Sequence, residues 1–415
     1  MYQGMSNRSN DINNLAFSNF ANRVCEKGVE MIYMDCNATT PTDERVLKEM
    51  LPYFSEKFGN PSSIYEIARE NKKEIEKARE NVAKLIDAEP DEIYFTSGGT
   101  ESDNWAIKGI AFVLRNKGNH IITSQIEHHA VLNTCKFLSK IGYEITYAPC
   151  DKYGIIDIDF IRKAIKKETI LITIMHANNE IGTIEPIEEI SKIAKENDIY
   201  FHTDAVQTVG KIPVSVKKLG VDMLSLSGHK FYGPKGIGAI YIKKGTKIET
   251  FINGGEQEKG KRGGTYNVPG IVGLGKAAEI AMEEMEEEIK KVKYLRDKLE
   301  NGIIERIPEI VINGHPENRL YNTLNLCVKY IEGESILLNL DFEKIYASSG
   351  SACTSGSLEP SHVLLAIGLP HEIAHGSLRF SLGKYNKEED VDKVLEILPK
   401  VVEKLRKLSP FWEKK

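Results

Sequence analysis

The sequence predicts an α/β fold with a mostly parallel sheet, followed by a smaller α+β region. Three observations carry this. Six short runs are near-continuously apolar rather than alternating, which is how strands buried on both faces read. Helical stretches separate these runs, so strand and helix alternate from about residue 40 to 240. After Gly270 the texture changes to a long charged helix followed by short strands.

Taken in order, residues 1–30 are polar and Asn-rich and lack the apolar core of a signal peptide. They read as a disordered tail, or as residues ahead of a true start at Met31. The six strand candidates are Glu92–Thr96, His120–Ser124, Glu144–Ala148, Thr169–Met175, Ile199–Thr203 and Asp222–Ser227, with helices such as Ser63–Ile86 and Ile187–Asn197 between them. Beyond Gly270 come a helix over Lys276–Ile303, short strands at Val311–Ile312 and Thr323–Cys327, two further helical stretches and a Lys-rich tail. The charge runs read as solvated helix faces.

Composition narrows the function. Apolar residues are 41% and charged residues 28% of 415, as in ordinary globular proteins. Lys plus Arg is 55 against 60 for Asp plus Glu, a net charge of −5 that offers no basic field for nucleic acid. No apolar run reaches the ~18 residues that would span a membrane. Six cysteines lie scattered, at Cys25, Cys36, Cys135, Cys150, Cys327 and Cys353, with no C-x-x-C pair. That disfavours a zinc ribbon or disulfide framework and fits a reducing cytosol.

In an open parallel sheet, ligands sit beyond the carboxyl ends of the strands, so the residues that follow each run decide the chemistry. The first run ends in Thr96-Ser97-Gly98-Gly99-Thr100-Glu101 and leads into a helix. Two glycines, free N–H groups and the Thr100 hydroxyl would cup a phosphate; taken alone, the segment reads more readily as an ordinary capped turn. Another run ends at Asp204, a buried acid that would pair with a protonated ring nitrogen or simply cap the next helix. The run ending at Ser227 continues Gly228-His229-Lys230-Phe231. There desolvation would make Lys230 a nucleophile, although a lone lysine is more often a surface turn residue. A phosphate cup, an acid and an amine at the ends of successive strands are what pyridoxal 5'-phosphate requires.

Separately, Gly350-Ser351-Ala352-Cys353-Thr354-Ser355-Gly356-Ser357 places a cysteine among small polar residues, which predicts an accessible, mobile loop. Arg379 is a candidate clamp for a substrate α-carboxylate. Other motifs fail on context. His371-Glu372-Ile373-Ala374-His375 matches a zinc-protease pattern, but Pro370 and Gly376 leave it little more than one turn. Ser227-x-x-Lys230 with Ser102-Asp103-Asn104 resembles penicillin-binding enzymes, yet the order is wrong and K-T-G is missing. His128-His129 lacks further ligands at metal spacing, so a histidine stacked on a flat ring is the better reading.

At these residues the chain resembles the cysteine desulfurases of the NifS/IscS type. The likeness runs from Ile32-Tyr33-Met34-Asp35-Cys36-Asn37 to Leu408-Ser409-Pro410-Phe411-Trp412 and is densest at Thr96–Asn104, His176–Gly182, Ser227–Gly238 and Ser348–Pro360. It implies the type I fold of pyridoxal-phosphate transferases, with a mostly parallel seven-stranded sheet in a large domain over 40–290. A small domain would combine 31–39 with 291–415 and carry the Cys353 loop. The resemblance implies Lys230 as the lysine bonded to the cofactor, Asp204 as partner of the ring nitrogen and His128 as the stacked, catalytic histidine. Asn179 and Gln207 match residues around the ring's phenolic oxygen. Gly99, Thr100, Ser227 and His229 match the phosphate cup, and Thr265 matches a residue reaching the neighbouring subunit's phosphate, hence a homodimer. Asn37, Asn179 and Arg379 match substrate-binding positions, and Cys353 the persulfide-forming cysteine. The implied reaction is L-cysteine to L-alanine in the cytoplasm, with sulfur passed to an iron–sulfur scaffold protein or another acceptor. No resident metal is implied, beyond transient ligation of an iron–sulfur cluster by Cys353. A selenocysteine lyase, an aminotransferase and a non-catalytic sulfur relay are the competing readings.

Overall fold

The structure is a computed structural model that describes residues 31–349 and 359–412. A two-residue strand, β1 (Ile32–Tyr33), opens the described chain. Seven strands then build the main sheet: β2 (Ile93–Thr96), β3 (His120–Ser124), β4 (Glu144–Ala148), β5 (Thr169–Thr173), β6 (Tyr200–Asp204), β7 (Met223–Ser227) and β8 (Gly238–Ile242). Their spatial order is β2-β8-β7-β6-β5-β3-β4. Neighbours among β3 to β7 are parallel, whereas β8 is antiparallel to both β7 and β2.

The continuous apolar runs have a direct cause. Successive residues of one strand enter opposite layers: Ile121, Leu171 and Met223 join one core, while Ile122, Ile172 and Leu224 join another. Helices α1 (Glu66–Leu85), α2 (Gly99–Val113), α3 (His129–Ser139) and α4 (Ile187–Glu196) alternate with the strands and supply the covering layers. Trp105 and Ile107 of α2 lie in the first core, and Ile75 of α1 and Ile190 of α4 in the second.

Three sequence expectations change. The strand β8 was not anticipated; the residues 228–237 that precede it are too few for a helical crossover, which takes a dozen or more, so it returns antiparallel. The β4 run is at the sheet edge and half exposed, with Glu144 and Tyr147 open, because only β3 covers it. The long helix α5 spans Val268–Arg306, 39 residues, and begins well before Lys276. Asn267 caps it by accepting from the Gly270 N–H (3.1 Å). Its early glycines are close-packing positions. A Cβ on Gly275 would lie 2.5 Å from Ala78 Cα of α1, and one on Gly273 would lie 2.6 Å from Met50 Sδ.

The second half of α5 belongs to a separate core with Ile32, Met34, Leu326 and Phe380. Around that core stand the antiparallel strands β9 (Ile310–Asn313), β10 (Thr323–Val328) and β12 (Ser377–Ser381), in the order β12-β10-β9. The strand β11 (Ile345–Tyr346) pairs in parallel with β1, which ties residues 32 and 33 to this core. Helix α6 (Glu388–Leu408) covers it with Val391, Val394 and Leu398. Among the described residues no helix is long and apolar enough to cross a membrane.

Candidate active site

The carboxyl ends of the parallel strands open onto a cavity of about 360 Å³. Asp204 is the last residue of β6 and Ser227 the last of β7, so the sheet itself aims both into it. At one end, the turn after β2 brings Gly98 and Gly99 to the N-terminus of α2, where free N–H groups favour an anion. Glycine is required there: Gly98 has φ +152°, and a Cβ on Gly99 would meet Val206 Cγ2 at 2.6 Å. Gly99, Thr100, Ser227 and His229 all line this end. The His229 ring bonds the Thr39 hydroxyl (3.1 Å), and burial followed by the charge of Lys230 pulls it down to about 4, so it stays neutral.

At the deep end, Asp204 accepts from the Val206 N–H (2.9 Å). Burial raises its pKa, partly offset by that hydrogen bond and by the charge of Lys230. A second acid, Asp103 of α2, lines the same end; burial, then the charge of Asp204, raises it strongly. Its Oδ1 is buried without a hydrogen bond, 3.7 Å from His202 Nε2.

Along the wall, His128 lines the cavity and caps α3 by accepting at Nδ1 from the Ala130 N–H (3.1 Å). Burial, then Lys230, lowers it to about 4, so the ring is neutral and apolar enough to stack. The Lys230 ε-amino group donates to the carbonyls of Asn37 (2.6 Å) and Ala38 (2.8 Å).

The residues expected to bind substrate converge from three elements. Arg379, on β12, donates to Asn179 O (3.0 Å) and to Asp35 Oδ1 (2.7 Å), while its Nε is buried and unpartnered. The Asn37 amide is fully engaged. Its Oδ1 accepts from Lys211 (3.1 Å) and Asn322 (3.1 Å), and its Nδ2 donates to Asn179 O (3.2 Å) and Thr323 Oγ1 (2.9 Å). Asn37 therefore knits the site together while also lining it. Gln207 donates from Nε2 to Asn37 O (3.0 Å).

The cavity thus gathers Asn37, Gly99, Thr100, His128, Asn179, Asp204, Gln207, Ser227, His229, Lys230 and Arg379. Thr265 is not among its lining residues, and Cys353 lies outside the described residues. Sequence reasoning passed over Asp103, read only as part of a decoy motif. It also passed over Lys211, whose one signal was a lone cation in the apolar stretch Val209-Gly210-Lys211-Ile212-Pro213. The helix His371–Ala374 is a single turn, too short to put both histidines of the zinc-protease pattern on one helical face.

The set suits a flat, phosphorylated pyridine aldehyde. Helix N–H groups and hydroxyls stand at the anionic end, and a buried acid stands at the other with one hydrogen bond among the described residues. An amine lies between them. The profile of the family described as Aminotransferase class-V matches residues 32–394. The chain is 61% identical over 383 residues to a cysteine desulfurase IscS of Methanosarcina thermophila, covering 92% of this chain and 95% of that one. Among solved structures, a NifS-like protein superposes with a TM-score of 0.86 at 44% identity, covering 91% of this chain and 100% of that one. The structure described as SspA in complex with cysteine gives 0.76 at 41%, with 86% and 100% covered. On fold, site and likeness together, the chain belongs to the class-V aminotransferases, and within them to the pyridoxal-phosphate-dependent cysteine desulfurases.

Proposed function

We propose that this desulfurase converts L-cysteine to L-alanine and holds the released sulfur as a persulfide on Cys353, for delivery to an iron–sulfur scaffold protein or another acceptor. The observation that carries the reading is the single cavity shared by Lys230, Asp204 and the Gly99–Thr100 turn. Gly99, Thr100, Ser227 and His229 would hold the cofactor's phosphate, Asp204 its ring nitrogen, and His128 its face. Asn179 and Gln207 would flank its phenolic oxygen. When bound, pyridoxal phosphate supplies an electron-withdrawing ring that stores the charge left as the substrate's α-proton departs.

The chain's own groups do the rest. Arg379, held from two sides, receives the α-carboxylate through its remaining N–H donors, beside Asn37 and Asn179. Lys230 takes the α-proton, its amine kept in place by two carbonyls. The Cys353 thiolate attacks the substrate sulfur, so that an S–S bond forms as the C–S bond breaks. The bonding pair stays with carbon, takes up a proton and leaves in alanine.

Support for Cys353 comes from the other thiols. Among the described residues Cys36, Cys135 and Cys327 are buried and Cys150 is half-buried. Burial pushes Cys36 and Cys135 up to about 12, and Cys150 and Cys327 up to about 11, far from a reactive thiolate. In the same reading 40–290 form the cofactor domain and 31–39 with 291–415 the small domain. The enzyme acts in the cytoplasm as a homodimer, with Thr265 serving the neighbouring subunit's phosphate cup.

The test is alanine formation from L-cysteine by the purified holoenzyme. Cys353→Ser keeps the cofactor's visible absorbance and forms no alanine. A Cys353→Ser protein that desulfurates cysteine at the unmodified rate overturns the assignment.

A further inference from the structure

Lys211 stands one layer behind the cavity. It is buried, it lines no part of the cavity wall, and among the described residues it makes no ion pair. Its ε-amino group donates instead to two neutral amide oxygens, Gln207 Oε1 (2.8 Å) and Asn37 Oδ1 (3.1 Å). A buried ammonium without a carboxylate partner is costly, so its placement calls for a reason.

The two amides supply one. An amide has a donor end and an acceptor end, and a cation at the oxygen fixes which is which. With Lys211 on Oε1, Gln207 turns its Nε2 to Asn37 O (3.0 Å). With Lys211 on Oδ1, Asn37 turns its Nδ2 to Asn179 O and Thr323 Oγ1. The same Asn37 carbonyl accepts Lys230 Nζ at 2.6 Å. Lys211, Gln207 and Asn37 therefore close a ring of hydrogen bonds whose shared oxygen also holds the Lys230 amine.

We propose that Lys211 is a positioning residue of the desulfurase reaction: it sets the Asn37 and Gln207 amides and, through the Asn37 carbonyl, the place and charge of the Lys230 nitrogen. The inference rests on Lys230 being the lysine that carries the cofactor. Burial, and next the charge of Lys230, draws Lys211 down to about 7. Repulsion is mutual, so at pH values below about 7, where Lys211 is charged, it favours the neutral form of the Lys230 nitrogen. The other groups facing Lys211 are Cys36, Glu288 and Arg379. Glu288 is bonded to the Tyr232 and Tyr321 hydroxyls. Among the groups facing Lys230 are Asp204, His128 and His229. Of these Asp204 opposes the effect, and the two histidines are neutral at pH 7.

The experiment is a pH titration of the holoenzyme's visible absorbance, alongside steady-state kinetics. Lys211→Met removes donor and charge together. The absorbance midpoint then moves to higher pH by about one unit, and kcat falls more than KM changes. Combined with Gln207→Ala, the losses in kcat/KM are less than additive, because one residue acts through the other. A Lys211→Met enzyme with the unmodified midpoint, altered only in thermal stability, overturns the proposal, as do additive losses. Should Lys211→Met not fold, Lys211→Gln, which drops the charge, is titrated in its place with the same expected rise. Failure of the underlying reading shows separately: Lys230→Ala would then retain the visible absorbance of the covalently held cofactor, whatever Lys211 does.

Discussion

Lys230 and Gln207 share one acceptor: the backbone oxygen of Asn37 receives the lysine amine at 2.6 Å and the glutamine amide at 3.0 Å. Asn37 follows β1, which is anchored to the core of β10 and β12, whereas Lys230 and Gln207 follow strands of the main sheet. One carbonyl thus joins the reactive amine to the far part of the chain. On the proposed function, Lys230→Ala removes both the covalent attachment and the proton acceptor. Turnover is expected to fall by at least ~10³-fold, in the range a positioned acid–base group contributes, and the visible band of the bound cofactor to disappear; absorbance and alanine assays check both.

Asp204 is buried at the deep end of the cavity and accepts from the Val206 N–H. Its pKa is raised, so the folded chain without cofactor is destabilised as pH rises past the acid's ordinary range. Asp204→Asn is therefore expected to raise the melting temperature of the cofactor-free protein near neutral pH. The same change replaces a charge-assisted bond by a neutral one and weakens cofactor binding by ~10–100-fold. Thermal melts and equilibrium binding measure the two opposed effects.

Arg379 is held by Asn179 O and Asp35 with its Nε left unpartnered. A lysine there keeps the charge but cannot keep both anchors and a two-point grip on a carboxylate. Arg379→Lys is expected to raise KM for cysteine ~10–100-fold with a smaller change in kcat, the mark of lost ground-state binding.

Glu127 takes bonds from Ser124 Oγ (2.6 Å) and the Met175 N–H (2.9 Å), while its Oε2 is buried without a partner. Burial raises its pKa from 4.5 to about 8. The folded state therefore holds more protons than the unfolded state between those values. Its stabilising contribution is complete below 4.5 and is lost as pH rises to about 8, by at most ~1.4 kcal/mol per pH unit. Glu127→Gln should lack this slope, and denaturant melts across the window test the difference.

Gly275 sets the contact between α5 and α1. Alanine in a helix interior gains ~1 kcal/mol over glycine from propensity, but here its Cβ would sit 2.5 Å from Ala78 Cα and Cβ. Overpacking of that kind costs ~1–3 kcal/mol and backbone cannot yield cheaply, so sterics win. Gly275→Ala is expected to lower stability by up to ~2 kcal/mol in a denaturant melt.

The same glycine explains where sequence reading stopped. Gly270 reads as the boundary between elements and the helix as starting at Lys276, whereas Gly273 and Gly275 lie inside it, where it meets Met50 and Ala78 too closely for a side chain. The inner parallel strands were legible because each alternates between two apolar layers, and the strand ends were legible because Asp204 and Ser227 interrupt those runs. The strand β8 was hidden in a glycine-rich stretch whose direction depends on the length of the link before it. Lys211 and Asp103 were hidden because their meaning lies in partners far along the chain: Asn37 for one, Asp204 and His202 for the other. No local spacing encodes those meetings.

The helix Val268–Arg306 gives its first turns to one apolar interior and its last turns to another. At 1.5 Å per residue it is a beam about 58 Å long. Melting either interior would strip one end of this beam of its cover, so the two are expected to come apart in a single cooperative event. Cutting the chain within residues 282–291 would leave each half of the helix on its own interior but part Ile32 and Met34 from the second interior and Val363 and Leu364 from the first, so neither half should survive alone as a soluble fragment.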